Sequence, residues 1–246
     1  MNMKTRHSNN EAGFSLFELI TAMAITLTLL GLSSTILAGA FHSRSREDRK
    51  SDAIADVQRA LNIMTREISN SGLKLPSGLN AVAKNGIVTN DSDNQSVRIV
   101  SNLNGMPDSA NGYYEDPDVE DTDEDLKFLK YVDNDLDQSY IVRYERNGSN
   151  QTTVLANRID SLVFRYYDEK VTYSTTVDAS GVCDITNVVN ASGAAKSEVS
   201  PASAKFIVIA VGVTLPAVGT QGQSGYQPTS QVQLTSDVVL RNSIDY

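Results

Sequence analysis

Residues 19–41 contain no charged side chain, and most of them are Leu, Ile, Ala, Met or Gly. As a helix, those 23 residues rise roughly 35 Å, enough to cross a hydrocarbon core of about 30 Å. A secretory signal has an apolar core of about 7–15 residues and ends in a small-x-small cleavage site. Here the run is too long for that, and the pattern beyond it stays helical. The segment reads as a membrane-spanning helix.

Glu18 stands at the start of this run. A carboxylate inside an apolar helix costs roughly 2.5–3.5 kcal/mol on insertion scales, so its presence asks for a partner. If Glu18 sat just outside the hydrocarbon, at the interface, the cost would be small. Against that, Phe14, Leu16 and Phe17 precede it and extend the apolar surface toward the N-terminus. Basic residues are more numerous after the run (Arg44, Arg46, Arg49, Lys50) than before it (Lys4, Arg6). By the positive-inside rule alone, that bias would leave the C-terminal part in the cytoplasm.

Beyond Arg44 the apolar positions fall at Ile54, Val57, Leu61, Met64 and Ile68, with Asp56, Arg59, Asn62, Arg66 and Glu67 on the other faces. Spacings of three and four along one face predict an amphipathic helix packed on the chain's own sheet. The first proline is Pro76, so one continuous helix is expected from about Phe14 to Asn70, ending near Gly72. Strands are expected at about 86–89, 96–101, 126–132, 140–146, 153–156, 161–167, 206–215 and 231–240. Asn147-Gly148 between two of them signals a hairpin turn. Residues 178–201 and 216–228 are Gly-, Ser- and Ala-rich and read as long loops.

Composition narrows the function. The net charge of −9 argues against nucleic acid, which needs a basic surface. The only histidines are His7 and His42, so Ser–His–Asp and Cys–His sites and most zinc sites are unavailable to the rest of the chain. Paired carboxylates, as in glycoside hydrolysis, need no histidine and stay chemically available. An enzyme is nevertheless the poorer expectation, and no cofactor is expected. The single cysteine, Cys183, cannot form an internal disulfide and is expected as an incidental thiol in a polar loop. Residues 115–125 are dominated by Asp and Glu, followed by Asp133, Asn134, Asp135 and Asp137. The latter have the alternating start of a calcium loop but lack its glycine (Gln138) and its twelfth-position Glu (Tyr144). A solvated acidic loop is the favoured expectation, with no metal site assigned. The tyrosines Tyr113, Tyr114, Tyr166, Tyr167 and Tyr226 are expected to pack or to sit at the surface.

Gly13-Phe14-Ser15-Leu16-Phe17-Glu18-Leu19 resembles the type IV prepilin cleavage motif: a basic leader ending in Gly, then Phe, then an apolar helix with Glu as its fifth residue. The departures are Ser15 where Thr is usual and Phe17 where Ile or Val is usual. Residues 155–167 and 234–242, and more loosely 66–72, are similar to PilW-type minor pilins and to the related J-type pseudopilins of type II secretion. This resemblance implies an α+β pilin fold, a long N-terminal helix packed on an antiparallel β-rich head. Its parts would be a leader (1–13), a transmembrane half-helix (14–43), an amphipathic half-helix (44–72) and a head (73–246). It also implies that a prepilin peptidase cuts between Gly13 and Phe14 and methylates the Phe14 amine, which a neighbour's Glu18 then engages. Phe14 then faces the cytoplasm before cleavage, against the basic bias after the span. The implied role is a minor pilin that initiates or caps a type IV pilus. Its partners would be other minor pilins and the major pilin through their N-terminal helices, in the inner membrane with the head in the periplasm. A type II secretion pseudopilin and a membrane-anchored calcium-dependent adhesion module are the alternatives.

Overall fold

A computed structural model describes residues 15–75, 82–103, 124–136, 138–146, 151–178, 182–223 and 225–243. Gly13, Phe14, Tyr113, Tyr114, Asp137, the Asn147-Gly148 turn and residues 115–123 lie outside the described residues. The fold is α+β, with one long N-terminal helix, α1 (Leu16–Ser69), followed by nine strands among the described residues. The chain forms two compact units. One comprises α1 up to Arg46 with the loop Val218–Pro228, and the other holds Glu47–Ala217 with Thr229–Tyr246.

In the second unit, Val57, Ala60, Leu61, Met64 and Ile68 of α1 are buried. These are the positions that the three–four spacing predicts, with Ala60 added and Ile54 left half-buried at the margin. They enter a core shared by two antiparallel sheets. The first sheet runs in the order β1 (Ser96–Val100), β2 (Asp125–Asp133), β3 (Gln138–Glu145), β4 (Thr152–Asn157). It contributes Val97, Ile99, Leu126, Phe128, Ile141 and Ala156. The second runs β5 (Ser161–Tyr167), β8 (Phe206–Leu215), β9 (Ser230–Val239) and contributes Leu162, Phe164, Ile207, Ile209 and Val211. Alternate residues of a strand face opposite sides, so only half of β8 can reach this core.

The other half of β8 explains a third layer. Phe206, Val208 and Ala210 are buried on the opposite face, with Val163 and Tyr167 of β5, under a hairpin of β6 (Val171–Val177) and β7 (Cys183–Asn190). A strand apolar at both parities must be covered on both faces. The reading of 178–201 as loop is therefore corrected: β7 occupies its centre, and Val171, Cys183 and Ile185 bury against β8. Arg165 of β5 bonds Asp184 at 2.8 Å and Glu198 at 3.0 Å, holding β7 and the segment after it onto the sheet. Lys196 does the same toward Asp168 and Glu169, at 3.0 and 2.7 Å. The expected strand at 86–89 is also corrected. Ile87 and Val88 make only single bridges, to Ile99 and Val82, before a 3-10 turn at Thr89–Asp91. Gly86, at φ +79°, turns the backbone there out of the extended region.

The end of α1 is fixed by a buried polar knot. Gly72 follows the helix at φ +79°, a left-handed position that favours glycine, and its N–H donates to Val100 O at 2.9 Å. Gly86 lies so close that an added Cβ would stand 2.0 Å from Gly72 N. The Ser71 hydroxyl donates to Asn85 O at 2.6 Å. The Asn85 amide donates to Pro201 O and Ala204 O at 2.8 and 2.9 Å, while its Oδ1 accepts from Ile87 N at 3.1 Å. Asn242 closes the group by donating to Ser71 O at 2.9 Å. Charge adds a second tie, because Arg143 of β3 bonds Glu67 of α1 at 2.8 Å. On the sheet's outer edge Arg98 grips Asp125 through both oxygens, at 2.8 and 2.7 Å, and also reaches Asp91. The hydrogen bond from Arg98 holds the Asp91 carboxyl below the usual carboxylate range, with Lys127 and Arg146 adding to the effect.

Asn85→Ala strips the partner from Ala204 O and from the Ile87 N–H, while Pro201 O keeps the Ala204 N–H at 3.3 Å. At about 1–3 kcal/mol per buried group left unpaired, we expect the full chain in detergent to lose roughly 2–4 kcal/mol. A denaturant titration followed by circular dichroism measures it; an unchanged midpoint contradicts the assignment of Asn85 as the organiser of this junction.

Candidate functional site

The first half of α1 carries the largest exposed apolar surface among the described residues. Leu16 is 77% exposed, Phe17 76%, Ile36 72% and Phe41 62%, and the other large apolar side chains between them are likewise more than half exposed. An apolar surface of this extent marks a membrane or protein contact. The helix is long and apolar enough to cross a membrane.

Its polar groups support that use. Thr21, Thr26, Thr28 and Thr35 each turn the hydroxyl back onto the helix and donate to a carbonyl three or four residues earlier, at 2.7–3.0 Å. A hydroxyl satisfied in this way needs no water, which is the condition for residing in hydrocarbon. Glu18 differs from these hydroxyls because it carries a charge. It is exposed on the first turn of α1, and among the described residues it has no hydrogen-bond or ion-pair partner. Its backbone carbonyl accepts from Thr21, but the carboxylate is offered outward. The sequence singled out the same residue; the cleavage pair Gly13 and Phe14 lies outside the described residues.

One participant on this half of the helix was missed by the sequence reading. The loop Val218–Pro228 joins β8 to β9 and closes on itself through paired bonds between Val218 and Gln227, at 3.0 and 2.9 Å. Its Gly225, at φ +83°, lies on Gly39 of α1, and a Cβ added there would stand 2.6 Å from the Gly39 Cα. Arg46 donates to Pro228 O one end further along. Gly39, His42 and Arg46, spaced three and four apart, are correspondingly half-buried while their neighbours Ala38, Ala40 and Phe41 are exposed. Two glycines on segments so far apart in sequence give no local signal that they touch.

The remaining candidates take structural roles. Asp133 Oδ1 accepts from the backbone N–H groups of Asp135 and Leu136, at 3.0 and 3.2 Å, and so closes its own turn. Among the described residues, no group of three His, Cys, Asp or Glu side chains is placed to hold a metal. Cys183, expected in a polar loop, is instead buried in β7, and burial pushes its thiol up, away from the reactive thiolate. Tyr166 is a buried core residue whose hydroxyl donates to Asp93 O at 2.9 Å. Burial pushes Tyr167 up to about 12. A cavity of about 500 Å³ beside Arg165, Asp184 and Cys183 is open; Arg165 and Asp184 pair across it, and Asp178 accepts from Val182 N at 2.9 Å. No family model, curated protein or solved structure matches the chain.

The full chain is expected to stay with the membrane pellet through carbonate extraction. Leu27→Asp with Leu30→Asp places two carboxylates mid-span, at roughly 2.5–3.5 kcal/mol each, and should move the protein toward the soluble fraction. Equal retention of this double variant contradicts a lipid-embedded helix.

Proposed function

We propose that this chain is a prepilin-like structural subunit, a minor pilin that helps initiate or cap a type IV pilus. The observation that carries the proposal is the exposed carboxylate of Glu18, without a partner among the described residues, at the head of an exposed apolar helix. That same helix, further along, is the central core element of a β-rich head. A carboxylate in hydrocarbon is tolerable when an opposite charge meets it, because each relieves the other's desolvation. An amine freed at Phe14 by cleavage after Gly13 would be such a charge, carried by the neighbouring subunit four residues earlier in its helix. Pairing Glu18 to it sets the axial stagger between helices, a register role more than a stability role. The partners are then other minor pilins and the major pilin through their N-terminal helices, after processing by a prepilin peptidase in the inner membrane. The head would lie in the periplasm and later at the cell surface. The same pairing would equally suit a J-type pseudopilin of a type II secretion system, the alternative reading.

The test is co-expression with a prepilin peptidase, followed by intact-mass measurement. The expected product starts at Phe14 and carries one N-methyl group. A chain left whole, or cut well downstream of Phe14, defeats the reading.

A further inference from the structure

The loop Val218–Pro228 contains no charged residue, in a chain where Asp, Glu, Lys and Arg make up 21% of positions. Between Val218 and Pro228 its residues are Gly, Gln, Thr and Ser with one tyrosine, Tyr226, which is half-buried. Through Gly225 it rests on Gly39, in the last turn of the uncharged run. Backbone N–H and C=O groups of an irregular loop cannot enter lipid hydrocarbon unsatisfied. The hydrocarbon boundary must therefore lie at or before Gly39 on that side of the helix. Counting back, Leu16 to Ala38 is 23 residues, or about 34 Å of helix, which matches a core of about 30 Å with a modest tilt. Tyrosine is enriched at that level, and uncharged polar side chains suit it because they bring no ion to desolvate.

We propose that Val218–Pro228 is an interfacial collar that lies in the lipid headgroup layer and sets the depth at which α1 sits. The inference rests on the spanning reading of α1. The glycine pair gives the collar its contact: with no Cβ on either residue, the loop backbone meets the helix directly. Arg46, donating to Pro228 O, ties the loop's far end about ten ångströms beyond Gly39 along the axis (seven residues at about 1.5 Å each).

The test uses the full chain reconstituted in phosphatidylcholine–phosphatidylglycerol vesicles, in a Cys183→Ser background. Single cysteines at Gln221, Leu30 and Thr175 carry a fluorophore, and nitroxide lipids labelled at the headgroup or along the acyl chain act as quenchers. Leu30 should lose its emission to the acyl-chain quencher and Gln221 to the headgroup quencher, while Thr175 keeps its emission with both. If Leu30 is quenched but Gln221 behaves like Thr175, the collar proposal falls alone. If Leu30 is not quenched, the spanning reading falls and takes the collar with it. Two glycine variants test the contact. Gly222→Ala strains a φ of +88° in open space and should leave Gln221 quenched; Gly225→Ala strains a φ of +83° and also strikes Gly39, and should abolish that quenching. Unchanged quenching in Gly225→Ala overturns the role of the glycine contact.

Discussion

The insertion of Val57, Ala60, Leu61, Met64 and Ile68 between two sheets is the interaction on which the rest of the structure depends. It commits the second half of α1 to the head's core, and the buried knot at Ser71, Gly72 and Asn85 fixes where the helix ends. Once that half is committed, the first half has no core of its own. Its leucines and isoleucines are more than half exposed, a surface that marks a membrane or protein contact. A single helix thus has an exposed apolar half and a half committed to the core, and the change falls between Phe41 and Ala53, where charged residues begin to appear.

Glu18 stands out against that background because every threonine hydroxyl in the apolar half is satisfied by its own helix. Against four internally bonded threonine hydroxyls, Glu18 is the charged side chain of this half that turns outward. The basic cluster after the span, which by residue count argues for the opposite orientation, is partly structural. The Arg46 guanidinium donates to the Pro228 carbonyl, so part of that charge serves the fold and its surroundings rather than orientation alone.

Much of this was legible in sequence, for identifiable reasons. The apolar run, Glu18 and the three–four stripe are local patterns, and the helix occurs within a residue or two of its expected limits. Most strands are dense in β-branched and aromatic residues and fall where those residues cluster. The β6–β7 hairpin was missed because its exposed face is Ser, Thr and Asn, which read as loop. Its signal lay elsewhere, in β8: Phe206-Ile207-Val208-Ile209-Ala210-Val211 is apolar at both parities and so demands a cover on each face. Residues 86–89 were misread for the opposite reason, since a short apolar run looked like a strand while Gly86 bent it out of the sheet. The loop on Gly39 depends on two glycines brought together only by the completed fold, and nothing local encodes that contact.

In the proposed assembly, Glu18 draws a neighbour's processed N-terminus to its own depth. Photo-crosslinking from position 17 in assembling cells tests it, with a benzoylphenylalanine in place of Phe17 and the crosslinked residue mapped on the partner by mass spectrometry. Crosslinks should concentrate within the first turn of the neighbour's helix, and should be lost or scattered along that helix in Glu18→Ala. The same sharp crosslink with and without the Glu18 carboxylate would contradict it.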